Sequence, residues 1–183
     1  ATVNQPSFVR ASDLDGDGLL DIAFTSVADG SLAFIVNQGA LAFGPSQTVS
    51  AGLPRASSLA VSDLDLDGDI DLVASSYDEG STPAGEFTWF ENLGAANFDA
   101  KVTVDSGLNR ASFVCAAQLD ADGYPDLAAA AWTGDQVLTY RNLLSIPRAE
   151  DCNANGILDS CEITSGTVTD CDGNGVPDPC QLA

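Results

Sequence analysis

Five short acidic loops of one design punctuate this chain. The first is Asp13-Leu-Asp15-Gly-Asp17-Gly18-Leu-Leu-Asp21, and the second is Asp63-Leu-Asp65-Leu-Asp67-Gly68-Asp-Ile-Asp71. The third is Gln118-Leu-Asp120-Ala-Asp122-Gly123-Tyr-Pro-Asp126. Asp151-Cys-Asn153-Ala-Asn155-Gly156-Ile-Leu-Asp159 and Asp170-Cys-Asp172-Gly-Asn174-Gly175-Val-Pro-Asp178 complete the set. Side chains with oxygen stand at positions 1, 3, 5 and 9, and glycine stands at position 6. Such spacing wraps a chain around a hard cation. Ca²⁺ takes six to eight oxygens at about 2.3–2.6 Å, and the glycine permits the sharp turn.

Up to five Ca²⁺ sites are therefore expected. The expected ligands in the first three loops are Asp13, Asp15, Asp17, Leu19 and Asp21; Asp63, Asp65, Asp67, Asp69 and Asp71; and Gln118, Asp120, Asp122, Tyr124 and Asp126. In the last two they are Asp151, Asn153, Asn155, Ile157, Asp159 and Glu162, and Asp170, Asp172, Asn174, Val176 and Asp178. Position 7 enters through its backbone carbonyl. The second loop is expected to bind more tightly than the third, where Gln118 replaces the leading carboxylate.

Charge follows the loops. Acids outnumber bases 27 to 6, and eighteen of the 27 acids lie inside the five loops. A hydrophobic content of 45% argues against a disordered acidic chain. A net charge of −21 disfavours nucleic acid, whose phosphates need Lys and Arg. No run of 18 apolar residues occurs, so no membrane-spanning helix is predicted. The chain has no His, which removes Ser-His-Asp, Cys-His and His-metal chemistry. Nearly every close carboxylate pair belongs to a loop, so no enzyme activity is expected. Glu86 and Glu91, outside the loops, are expected to face solvent. Arg10, Arg55, Arg110, Arg141 and Arg148 are scarce cations, expected to pair with loop acids or an acidic neighbour.

Cys152, Cys161, Cys171 and Cys180 occupy positions 2 and 11 of the last two loops. Ca²⁺ does not favour sulfur, so disulfides are expected, with three pairings open. Disulfides imply an oxidising, extracellular compartment. Cys115, in an apolar run, reads as a small buried hydrophobe with a free thiol.

The first three loops also mark an internal repeat. Asp13 and Asp63 are 50 residues apart, and Asp63 and Gln118 are 55 apart. Arg55-Ala-Ser returns as Arg110-Ala-Ser, and Ser7-Phe8-Val9 stands where Ser112-Phe113-Val114 does. After each loop comes an apolar run, from Ile22, Leu72 or Leu127. A second run ends at Asn37, Asn92 or Asn142. Runs of four to six residues bounded by Gly, Asp, Asn or Pro read as strands. Ala128 to Ala131 favours helix locally, but its place in the repeat predicts strand. About four short strands per repeat is the pattern of a propeller blade. Trp89 and Trp132 are expected to pack between blades, with a sugar-stacking platform as the alternative.

Asp-x-Asp-x-Asp-Gly-x-x-Asp, an apolar strand, then Asn-x-Gly-x-x-x-Phe resembles the FG-GAP/VCBS repeat of integrin α-subunit propellers and many secreted bacterial proteins. The resemblance covers residues 5 to about 142. It implies calcium hairpins between neighbouring strands of a blade. The third copy departs from it: Gln118 leads the loop, Leu143-Leu144 follows Asn142, and the closing strand is lost. The tail is similar to dockerin or thrombospondin type 3 calcium loops. It lacks a dockerin's flanking helices, so cohesin-type binding is not carried over.

The expected fold is all-β: three four-stranded blade-like repeats over 1–147 (about 5–54, 55–109 and 110–147), then a disulfide-stapled EF-hand-like calcium-loop tail over 148–183. Three blades are too few to close a propeller. A longer protein, a non-propeller sandwich and assembly between copies all remain open. The expected function is a secreted, calcium-stabilised structural or adhesive protein that self-associates into an oligomer or filament. The alternative is a module binding carbohydrate or a cell-surface protein.

Overall fold

Strand formation follows the apolar runs in a computed structural model, which describes residues 3–77, 85–132 and 135–142. Among the described residues, eleven strands form three antiparallel sheets. The first sheet holds β1 (Pro6–Ser12), β2 (Asp21–Ser26), β3 (Ser31–Ile35) and β4 (Gln47–Ser50) in sequence order. The second holds β5 (Ser58–Ser62), β6 (Asp71–Ser76), β7 (Gly85–Phe90) and β8 (Val102–Leu108), also in sequence order. The third holds β9 (Ala111–Ala117), β10 (Asp126–Ala131) and β11 (Gln136–Tyr140). Three rather than four strands are present in it among the described residues. No closed propeller is formed by these three sheets. The chain divides into two units, Ala1–Arg141 and Asn142–Ala183.

Ala128 to Ala131 is strand, paired on both sides with β9 and β11. Ladder hydrogen bonds and packing outweigh the few tenths of a kcal/mol per residue by which alanine favours helix.

The repeat is kept residue by residue. Val9 pairs with Phe24 as Leu59 pairs with Ala74 and Val114 with Ala129. Ile22 pairs with Ile35 as Leu72 pairs with Phe90 and Leu127 with Tyr140. Gln5, Arg55 and Arg110, which precede the three first strands, all take left-handed backbone at φ 53°, 46° and 55°.

Period-2 alternation sends the two faces of the middle sheet to two cores. Leu59, Leu72, Ala74 and Phe90 join Leu14, Ala23, Leu32 and Phe34 from the first repeat. Ala60, Leu64, Val73 and Phe87 join Val114, Leu127 and Ala129 from the third. Serines stitch the repeats at their first strands. Ser7 Oγ donates to Ala56 O at 2.6 Å, and Ser57 Oγ donates to Ala111 O at 3.1 Å.

Four expectations need correction. Trp89 packs against the second core as expected, but Trp132 is 70% exposed. It immediately follows β10 in the third repeat, where no further sheet covers it among the described residues. Glu86 is not a free solvent-facing acid; it is half-buried and paired with Lys101 at 2.8 Å. Glu91, likewise, is half-buried. Cys115 is a free thiol but only half-buried.

Candidate metal centres

Each of the first three loops joins the first two strands of its sheet, so both ends are fixed by a strand pair. Within the loop, positions 4 and 6 take positive φ. Gly16 and Gly18 do so at 77° and 86°, Leu66 and Gly68 at 61° and 101°, and Ala121 and Gly123 at 63° and 102°. Glycine suits this conformation at position 6. Leu66 and Ala121 adopt it at position 4 despite carrying a Cβ, a repeated feature that the ligand pattern does not signal.

The turns aim backbone N–H groups at the carboxylates. Asp13 accepts from Gly16 N and Gly18 N, both at 2.9 Å. Asp63 accepts from Gly68 N at 3.0 Å. At position 3, Asp15, Asp65 and Asp120 each accept from the N–H two residues on, at 3.2, 3.3 and 3.1 Å. At position 5, Asp17, Asp67 and Asp122 do the same for Leu19, Asp69 and Tyr124.

The position 9 aspartate is buried in all three loops. Asp21 accepts from Leu14 N at 3.0 Å and Asn37 N at 2.7 Å. Asp71 accepts from Leu64 N at 3.0 Å and Asn92 N at 2.8 Å. Asp126 accepts from Leu119 N at 2.8 Å. Besides being a candidate ligand, this carboxylate thus clamps the start of its loop, and in the first two loops it also holds the end of the third strand.

Oxygens bound on opposite sides of one Ca²⁺ stand about 4.8 Å apart, twice the bond length. Asp13, Asp15 and Asp21 each offer an oxygen within 4.8 Å of the others, and so do Asp63, Asp65 and Asp67. Asp63 Oδ1 is buried and has no hydrogen-bond partner. An unpaired buried anionic oxygen costs free energy that a bound cation removes. The donor sets of these two loops therefore fit Ca²⁺. Desolvation pushes the Asp15 and Asp65 carboxyls above their usual range, with neighbouring loop aspartates adding to it. Burial raises Asp71 to about 6, against the lowering effect of its backbone donors.

Asn92 couples adjacent loops. Its Nδ2 donates to Leu14 O in the first loop at 2.8 Å and to Ile70 O in its own at 3.1 Å. In the sequence this asparagine marks only the end of a strand.

The third loop is different. Gln118 is exposed, and no grouping of three carboxylates forms there among the described residues. Arg141 lies across it instead, with Nε 2.5 Å from Asp120 Oδ2 and Nη2 3.7 Å from Asp122 Oδ2. Burial works against ionisation of Asp120, but the Asp122 N–H and the guanidinium outweigh it and hold the carboxyl below its usual range. The equivalent Asp65 shifts the other way. Tyr124 N donates to Asp122, as the position 7 N–H does in the first two loops. The expected ligands of the fourth and fifth loops, and their four cysteines, lie outside the described residues.

A family model described as the FG-GAP-like repeat matches residues 13–74 and again residues 63–129. Both matches begin on the leading aspartate of a loop and run into the next repeat. A search of curated proteins finds no match to the chain.

Proposed function

The chain belongs to the FG-GAP-like repeat family, and on that premise we propose that it is a secreted, calcium-stabilised structural or adhesive β-repeat protein that assembles with copies of itself. The family is a structural and adhesive repeat, commonly extracellular and often calcium-binding. Calcium is supported by the two carboxylate clusters and by the orphaned Asp63 oxygen. Bound there, the ion supplies positive charge that loop carboxylates otherwise lack, so metal binding acts as folding free energy.

One observation carries the self-assembly. The outer face of the first sheet presents Val9, Ile22, Phe24 and Ile35, which line an open groove of about 790 Å³. These occupy the register positions of Leu59, Leu72, Ala74 and Phe90, which the preceding sheet buries. At the other end, Leu119 is 50% and Val137 84% exposed, where the equivalent Leu64 and Phe87 are buried. Among the described residues, one end of the stack is a sheet face without a predecessor, and the other is a face without a successor. Joining the last face of one copy to the first of the next reuses the contact already made twice inside the chain. Such a head-to-tail contact gives a ring if it closes and a filament if it does not.

A second reading, a carbohydrate- or protein-binding module of a larger secreted protein, is favoured by Trp132. Its exposed ring has the Arg110 guanidinium 5.5 Å from its centroid, and Arg110 also lies 5.1 Å from that of Tyr77. Sedimentation at micromolar protein separates the two readings. In millimolar Ca²⁺ the particle is expected to exceed one chain, and in chelator it is expected to dissociate and melt at a lower temperature. A monomer in Ca²⁺ favours the binding module, and an unchanged melting curve rejects the calcium role.

A further inference from the structure

We infer that the third loop is closed by the guanidinium of Arg141, which takes the place that a metal ion takes in the first two. The inference rests on the calcium reading of those two loops. Its ground is a register position. Arg141 immediately precedes Asn142, as Glu91 precedes Asn92 and Val36 precedes Asn37. In the second and third repeats the side chain at this position lies near its own loop, whereas Val36 packs against the first core. In the second repeat, desolvation and the charges of Asp65, Asp99 and Asp67 push the Glu91 carboxyl above its usual range. There the position adds a further acid to a loop that already has five. In the first repeat it is apolar. In the third it carries the opposite charge and meets two of three loop carboxylates.

The two departures of the third loop are matched. Replacing Asp with Gln118 removes one anion and leaves the leading position with a side chain that a divalent ion binds more weakly. Placing Arg141 between Asp120 and Asp122 adds a fixed cation. A Ca²⁺ ion bound to those same carboxylates would stand a few ångströms from the guanidinium, and like charges at that range repel. The buried Asp122 Oδ2 has no hydrogen bond, as Asp63 Oδ1 has none, yet their surroundings differ. Asp122 has the Arg141 Nη2 at 3.7 Å to balance its charge. Arginine suits the role because it stays charged and offers five donors in a fixed fork.

The consequence is a graded response to calcium along one chain. The first two hairpins need the ion, and the third keeps its shape without it. Hydrogen exchange of the full chain, followed by peptide, reads all three loops at once. After chelation, residues 13–21 and 63–71 are expected to exchange about tenfold faster or more, while 118–126 changes by less than about twofold. Arg141→Val is expected to release 118–126 in chelator, and Arg141→Lys to restore most of the protection. The double variant Gln118→Asp/Arg141→Glu copies the second loop. It is expected to carry one more Ca²⁺ than the wild type in native mass spectrometry.

Three results would overturn the inference: Ca²⁺ protecting 118–126 as strongly as 63–71, Arg141→Val leaving 118–126 protected in chelator, or the double variant gaining no ion. If 13–21 and 63–71 ignore chelation, the calcium reading fails by itself. The Arg141 contact is then judged by Arg141→Val and its lysine rescue.

Discussion

The middle and first sheets share one register but differ in what covers them. In the middle sheet, Leu59, Leu72, Ala74 and Phe90 on one side and Val73 and Phe87 on the other are all buried to within about 1%. In the first sheet, Ala23, Leu32 and Phe34 are buried toward the second repeat, while Val9 on the opposite side is 59% exposed. Solvent has not selected polar residues there. Val9, Ile22, Phe24 and Ile35 are as apolar as their counterparts; Phe24 is buried, but Val9 is exposed and Ile22 and Ile35 are half-buried, and a partly open apolar face of this kind marks an interaction surface. A blade's two faces are thus built alike whether or not another described sheet covers them.

The contrast is sharpest for large-to-small substitutions. Phe90→Ala empties a fully buried site between two sheets and is expected to cost about 3–5 kcal/mol. Ile35→Ala, at the equivalent position facing the open groove, is expected to cost about 1 kcal/mol or less. Urea unfolding of dilute protein in Ca²⁺ measures both. Equal losses would mean that the first sheet's outer face is as deeply covered in solution as the middle one.

A second effect, of order 2 kcal/mol, concerns Asp71 at the root of the middle sheet's loop. Its carboxyl is raised to about 6 by burial in the metal-free fold. A raised carboxylate contributes stability that is fully present below the ordinary value of 3.8 and lost as pH rises through about 6. Metal-free protein is therefore expected to melt higher at pH 5 than at pH 7.5. On the proposed calcium role, protons and Ca²⁺ compete for the loop carboxylates, so Ca²⁺ should restore stability at pH 7.5 and matter less at pH 5. Asp71→Asn should flatten the metal-free pH dependence. A slope unchanged in that variant would assign the effect to the remaining net charge instead.

Much of this arrangement was legible in the sequence because it repeats. Runs such as Leu72–Ser76 are short, apolar and bounded by Asp and Tyr, and three copies in one frame outvoted the helix preference of Ala128 to Ala131. The loop carboxylates and the position 6 glycine were legible because their spacing is local. Arg141 was not assigned to a loop, although pairing of arginines with loop acids was expected. The contact needs the β10–β11 register, which brings Arg141 back to Asp120 across 21 residues of chain. A signal was nevertheless present, in the succession Val36, Glu91, Arg141 before three equivalent asparagines. Trp132 departs from its expected burial for a related reason: repeat position predicts burial only where another sheet covers that position.

The smallest expected change in folding stability accompanies a large change in association. Val9→Asp puts a charge on an exposed position and should alter unfolding free energy by no more than about 0.5 kcal/mol. The same charge at a covered apolar contact would be desolvated, at several times that cost. Val9→Asp is therefore expected to leave a folded chain that no longer assembles. Val137→Asp, at the far end of the stack, tests the geometry. In a head-to-tail contact, one interface contains both faces, so either substitution alone blocks growth. Mixing the two variants then caps chains at one junction, formed by the unaltered Val137 face of one variant and the unaltered Val9 face of the other. In a two-fold contact between first sheets, Val9→Asp alone dissolves the particle and Val137→Asp has no effect. Sedimentation of each variant and of the mixture distinguishes these outcomes. Full assembly of both variants would remove the open sheet faces from the account of what holds the copies together.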